Sequence, residues 1–385
     1  MQSSRPTPAS DRADAAPQPV EEIRFFLAGP TYVPMAARRA MLGEMVAHRS
    51  PCFRDLYATL TRRLAAVLRT DGEAYVATGS STLVMESAVV SLVDRDVLNL
   101  TNGAFSERWN AICGTLGKSA DRVSVPWGEA IDPDLVRQAL RRKRYEAVTV
   151  VHSETSTGVL NPLAEIARAV REESDALLLV DTVSSLGGAP VEFDAWGLDL
   201  VLAGTQKALA APPGLTAFTF SERAAERAAA LPHRGFYTDL LRYRDKHRGG
   251  GTITTPAIPV AYALAHQLER IEQEGIEQRW QRHRDCAAAT AEWAAGRGLT
   301  YAVARPADRS PTVSCLRPPA GVDAPALVRR LGEAGFTVAG GYGDWKPTTF
   351  RIGHMGEVRT TDLAPLFTAI DTALDELLED ACTAS

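Results

Sequence analysis

Short apolar runs recur through the middle of this chain, each closed by small or polar turn residues and followed by a stretch with apolar positions at helical spacing. Such runs are too short for buried helices, and the turn residues around them mark interior strands. Strands are expected at 74–77, 97–100, 123–125, 147–151, 176–180, 200–203 and 215–220. Helices are expected at 54–68, where Leu56, Leu60, Leu64 and Val67 share one face, and at 83–93 and 132–142. Strand and helix alternating over 74–220 predict a mostly parallel sheet in an α/β domain. A long helical segment, 258–295, leads to a second unit with a strand at 312–316, a helix at 324–334, a strand at 336–339, an apolar run around Arg351 and a closing helix at 361–378. The expected organisation is a tail at 1–20, a large domain with the N-terminal segment at 21–280, and a small C-terminal domain at 281–385.

Composition adds bounds. A chain of 385 residues, 45% hydrophobic and 23% charged, is globular and long enough for two cores. Its net charge of −5 argues against a nucleic-acid or anionic-membrane surface. The basic run 141–144 reads as a solvated helix face. No apolar stretch reaches the ~20 residues of a membrane span. The five cysteines, Cys52, Cys113, Cys286, Cys315 and Cys382, are scattered without ligand spacing. Neither a disulfide framework nor a metal site is expected, and the reading is a reducing cytoplasm. Residues 1–20 are rich in Pro, Ala, Ser and Asp, lack the apolar segment of a signal peptide, and are expected to be disordered.

The candidate chemistry centres on Lys207. It follows the apolar run at 200–203 and precedes Ala208 to Ala211 and a Pro212-Pro213-Gly214 turn. Arginine is the usual cation here; the other lysines are Lys118, Lys143, Lys246 and Lys346. A lysine set in apolar sequence suggests that an amine is needed. Desolvated, it can lose its proton and form a Schiff base, which arginine cannot. The run at 176–180 ends in Asp181, a carboxylate that is costly to bury unless it meets a cation. In a parallel sheet both residues reach the edge where α/β proteins bind ligands. Pyridoxal phosphate needs both, a lysine at its aldehyde and a carboxylate at its ring nitrogen. Thr78-Gly-Ser-Ser-Thr82, between strand and helix, suits a phosphate: the helix start offers free N–H groups, and Ser80, Ser81 and Thr82 add hydroxyls. Serine and threonine there are also ordinary helix caps.

From Leu27-Ala-Gly-Pro30 to Phe350-Arg-Ile-Gly-His-Met-Gly356, through His152-Ser-Glu-Thr-Ser-Thr-Gly158, Asp181 and Lys207, the chain resembles the class V, fold type I pyridoxal-phosphate aminotransferases of the alanine–glyoxylate / serine–pyruvate branch. The resemblance implies the PLP-transferase fold type I, a large mostly parallel α/β sheet domain plus a smaller C-terminal α/β domain. It implies pyridoxal 5'-phosphate bound by Ser80, Ser81, Thr82, Phe105, Thr155, Asp181, Val183, Gln206 and Lys207. Phe105 would stack on the ring, Thr155 face the ring oxygen and Gln206 approach the phosphate. Thr254 and Thr255 would reach the phosphate of a neighbouring subunit, giving a homodimer with shared active sites. Gly29 would lie along the substrate side, and Arg351 would hold the substrate α-carboxylate in a bidentate fork. Taken alone, an arginine in an apolar strand suggests an internal salt bridge. Ser81 stands where the family has a second glycine, adding a donor and narrowing the space. His152 reads as a buried, hydrogen-bonded core group and Glu154 as a brace for its loop.

The implied activity is ping-pong transamination from a small amino acid to a 2-keto acid such as glyoxylate or pyruvate. Lys207 would move the α-proton and Asp181 would keep the ring nitrogen protonated. Opposite charges at ~4 Å attract by about 4 kcal/mol at an effective dielectric constant of ~20. A lyase of the same fold and a non-catalytic cofactor-binding protein are the alternatives; Arg351 argues against the second. Desulfuration is disfavoured, because Gln206 stands where desulfurases carry histidine and 340–344 contains no cysteine.

Overall fold

The computed structural model describes residues 22–383, so the tail expected at 1–20 lies outside the described residues. In chain order the strands are β1 Phe25–Phe26, β2 Ala74–Thr78, β3 Asp96–Thr101, β4 Ser119–Ser124, β5 Ala147–Val151, β6 Ser153–Glu154, β7 Val159–Leu160, β8 Leu177–Asp181, β9 Leu200–Gly204, β10 Leu215–Phe220, β11 Thr300–Tyr301, β12 Val313–Arg317, β13 Thr337–Gly340 and β14 Phe350–Gly353. One sheet has the order β2-β10-β9-β8-β5-β3-β4. From β4 to β9 its neighbours are parallel, and β10 is antiparallel to both β9 and β2.

The central strands read as unbroken apolar runs because helices cover both faces. Successive side chains alternate between faces. Leu178, Val180, Val201 and Ala203 enter one core with Leu64 and Leu68. Leu177, Leu179, Leu200 and Leu202 enter the other with Met85 and Trp109. Each of these buried leucines stabilises the domain by about 2 kcal/mol. Burial on both faces thus fixes where β8 and β9 end, and therefore where Asp181 and Lys207 emerge.

β4 departs from the expected strand at 123–125. It is an edge strand of mostly exposed residues, paired with β3 from Asp96↔Ser119 to Thr101↔Ser124. Backbone pairing holds it, so the apolar pattern of interior strands is missing.

The second sheet has the order β1-β13-β14-β12-β11. Its core joins Phe26, Leu316, Phe350 and Ile352 to Leu331 of the helix Ala324–Glu333 and to Leu366 and Ile370 of the helix Thr360–Thr383. β1 pairs in parallel with β13, so an N-terminal segment supplies an edge of the C-terminal sheet. The single helical segment expected at 258–295 is corrected to two helices, Ile258–Glu274 and Ile276–Gly296. Gly275, at φ +83°, breaks the path between them, and glycine adopts positive φ at little cost. Just past the break Arg279 is fully buried. It donates to Glu274 at 2.8 Å, to Glu357 at 3.0 Å and to the Ala208 carbonyl at 3.0 Å.

Candidate active site

β8 and β9 are parallel neighbours with Asp181 opposite Leu202. Their C-terminal ends therefore deliver Asp181 and the Thr205-Gln206-Lys207 turn to the same sheet edge. Lys207 is only 9% exposed, and its amine donates to the Ala28 carbonyl at 2.6 Å. Burial pushes that amine down to about 8; the Arg351 cation acts in the same direction and the Asp181 carboxylate opposes it. Burial pushes the Asp181 carboxyl up to about 6, against the Val183 N–H that donates to it at 2.7 Å. Lysine and aspartate are thus drawn toward neutrality from opposite sides, a pattern that concentrates at functional sites.

Lys207, Asp181 and Val183 line one cleft. Ser80, Ser81 and Thr82 close one end, at the start of the helix Ser81–Leu92. No side chain caps that helix, and the buried hydroxyl of Ser81 has no protein partner. Uncapped N–H groups and a spare hydroxyl at the positive end of a helix form a place for an anion. Gly204 permits the close approach of strand end to helix start: a β-carbon there would lie 2.8 Å from Ser81 Oγ.

Phe105 begins a wall of the cleft, with the Lys207 amine 5.8 Å from its ring centroid. The buried Glu154 carboxylate accepts from the N–H groups of Phe105 at 3.3 Å and Ser106 at 2.8 Å at the start of the helix Ala104–Thr115, and from the N–H of Ser156 at 3.2 Å and its hydroxyl, which braces its own loop as expected. Thr155, Val183 and Gln206 also line the cleft, and the Thr155 hydroxyl is bonded to that of Ser184. His152 is buried as expected, and burial pushes its imidazole down to about 4. The hydrogen bond expected for it is not found: ring Nδ1 has no partner.

Arg351 lies on β14, an interior strand of the second sheet. Its Nε donates to the Gly340 carbonyl at 3.0 Å and its Nη1 to the Thr155 carbonyl at 2.9 Å. Among the described residues no carboxylate pairs with it, so the internal salt bridge is ruled out. Its guanidinium lies 5.6 Å from the ring centroid of Tyr342. Gly29 abuts the Lys207 amine. Thr254 and Thr255 are not brought to this cleft; they line a separate groove with His48, Arg49 and Arg54.

Arg108 was missed from the sequence. It lines the cleft with its guanidinium 5.0 Å from the Phe105 centroid, and its place one helical turn after Phe105 was the available signal. Ser153 and Ser184 also line the cleft; they come shortly after the ends of β5 and β8 in the sequence. Among the described residues no His/Cys/Asp/Glu group is arranged to hold a metal ion, and no helix is long and apolar enough to cross a membrane.

Residues 75–365 match the class V aminotransferase family. An uncharacterized aminotransferase of Methanocaldococcus jannaschii is 37% identical over 359 residues, covering 92% of this chain and 93% of that protein. The L-aspartate–glyoxylate aminotransferase of Paracoccus denitrificans is 33% identical, covering 87% of this chain and 86% of that protein. The crystal structure of an alanine–glyoxylate aminotransferase from Nostoc sp. superposes with a TM-score of 0.86 at 33% identity, covering 95% of this chain and 98% of that one. The chain belongs to the class V aminotransferases, and its fold is that of the type I PLP transferases.

Proposed function

We propose that this protein binds pyridoxal 5'-phosphate and moves an amino group from a small amino acid to a 2-keto acid such as glyoxylate or pyruvate, in a ping-pong cycle. The observation that carries this reading is that Lys207 and Asp181 line one cleft, while Arg351, with no carboxylate partner among the described residues, donates to the carbonyl of Thr155 in the wall of that cleft. A protein that only bound the cofactor would have no use for an unpaired arginine there.

The donor set fits the cofactor. The uncapped helix start with Ser80, Ser81 and Thr82 matches a phosphate, Phe105 offers a flat apolar face, and Asp181 offers a carboxylate opposite. Bound there, pyridoxal phosphate supplies a carbonyl that carries the amino group and a protonated ring that accepts the electron pair of the substrate α-carbon. Lys207 would hold the cofactor through its amine and would carry the α-proton as base and acid. Its depressed amine suits that exchange. Asp181 holds a proton at the ring nitrogen. Val183 keeps the carboxylate turned through its N–H. Thr155 and Gln206 contribute polar groups to the cleft lining, and Gly29, lacking a side chain, leaves room for the Lys207 amine. Arg351 receives the substrate α-carboxylate through its remaining N–H groups.

The reading includes a homodimer in which Thr254 and Thr255 complete the neighbouring subunit's phosphate site. Their groove away from Lys207 is consistent with that use. The buried, free thiols of Cys113, Cys286 and Cys315 suit a reducing cytoplasm. Incubating the purified protein with cofactor and alanine, serine or aspartate, with and without glyoxylate or pyruvate, tests the proposal. Amino transfer that requires the keto acid is expected. Keto-acid release without an acceptor would make the protein a lyase.

A further inference from the structure

Tyr342 occupies a position that the reaction itself does not require. It lies between β13 and β14, and its ring stands between a residue of the cleft wall and the candidate carboxylate site: the Phe105 centroid at 5.7 Å and the Arg351 guanidinium at 5.6 Å. The Lys207 amine stands 5.8 Å from that same Phe105 ring. A substrate with its carboxylate at Arg351 and its amino group toward Lys207 therefore has the Tyr342 ring beside its α-carbon.

The loop that carries Tyr342 is braced. Gly341 N donates to the Thr349 carbonyl at 2.9 Å, and Thr349 donates to the Trp345 carbonyl through N at 3.0 Å and through Oγ1 at 2.8 Å. Trp345 meets Trp127 edge to face at 5.6 Å. Glycine is needed at two positions of the loop: a β-carbon on Gly341 would lie 2.2 Å from the Trp345 carbonyl oxygen, and one on Gly343 would lie 3.1 Å from Trp127. A braced aromatic ring is a fixed wall rather than an adaptable one, because two χ angles leave it little freedom.

We propose that Tyr342 determines substrate specificity by limiting side-chain volume, so that the site takes amino acids the size of alanine or serine and rejects branched and aromatic ones. This rests on the aminotransferase reading above. Excluding a bulky group by a wall is a steric matter, so removing the wall relaxes selectivity without supplying new chemistry.

The test measures kcat/KM for alanine, leucine and phenylalanine with glyoxylate as acceptor, in the wild type, Tyr342→Phe and Tyr342→Ala; Tyr342→Val replaces the last if it folds poorly. The small variant is expected to raise the leucine-to-alanine ratio by about tenfold or more, and Tyr342→Phe to leave it unchanged. A parallel loss with all donors would assign Tyr342 a merely structural role and overturn the inference. So would a wild-type enzyme that already uses leucine as well as alanine, or a Tyr342→Phe variant as relaxed as the small one. Absence of transfer from every donor in the wild type would instead sink the aminotransferase reading.

Discussion

A β-carbon built on Gly29 would lie 2.1 Å from the amine nitrogen of Lys207. The two residues are far apart in sequence, yet the amine is held at the Ala28 carbonyl, one residue before that glycine. The absence of a side chain at position 29 is what gives Lys207 its place. Gly29 also sits at φ +123°, where a side chain is strained regardless of space.

Gly29→Ala should therefore displace the amine. A misplacement of about 1 Å costs roughly a hundredfold in rate, and a loss of that order is expected in kcat, with the second sheet still folded. Turnover measured beside the melting transition checks this. Wild-type turnover would mean that the amine does not need this space.

Loading with cofactor should follow the Lys207 amine. Only the unprotonated amine attacks a carbonyl, and burial brings this one down to about 8. The loading rate of cofactor-free protein should climb with pH and level off above about 8. Stopped-flow absorbance across pH 6–10 reads it. Lys207→Ala should bind without a covalent link, so borohydride should fix no cofactor on that variant. A flat pH profile in the wild type would remove Lys207 as the attacking group.

Asp181→Asn keeps the shape of the site but loses the anion. Cofactor binding should persist, while the rate of α-proton exchange falls by about a hundredfold or more. Exchange of the alanine α-proton in deuterated water, followed by NMR, measures that step directly. An unchanged exchange rate would exclude Asp181 from proton handling.

Glu357 joins the second sheet to the linking helices. Burial alone would raise its carboxyl, but the guanidiniums of Arg279 and Arg270 outweigh it and hold the group at about 2, below its ordinary 4.5. A depressed acid stabilises the fold above its unfolded pKa, and that contribution is lost as pH falls through the folded value. About 3 kcal/mol should therefore disappear between pH 4.5 and 2. Glu357→Gln should flatten that slope. At neutral pH it should also destabilise the fold, because the buried Arg279 then keeps Glu274 as its one carboxylate partner. Urea melts of both proteins at pH 3, 5 and 7 provide the comparison.

The strands that carry the chemistry were legible because they are buried on both faces. Runs such as Leu177 to Val180 must be apolar throughout, and the first polar residue after each marks the sheet edge. That rule placed Asp181 and the Thr205-Gln206-Lys207 turn at one edge, and the scarcity of lysine singled out Lys207 within the turn. The rule failed at β4, whose exposed residues carry no apolar pattern, and at β1, whose two phenylalanines belong to a sheet built three hundred residues later. The break at Gly275 was hidden because one glycine within a helical pattern does not announce its φ.

The site divides in the same way. Residue identity and order fixed the chemical groups available: an amine, a carboxylate, hydroxyls at a helix start and an arginine in an apolar strand. Those follow from burial and local geometry, which act over a few neighbouring residues. Only the packed chain decided that Gly29 makes room for Lys207, that Glu154 braces Phe105, that Arg351 meets carbonyls and no acid, and that Tyr342 stands against Phe105. Each is a contact between segments distant in sequence. Such contacts depend on how two sheets settle against each other, which no local pattern encodes.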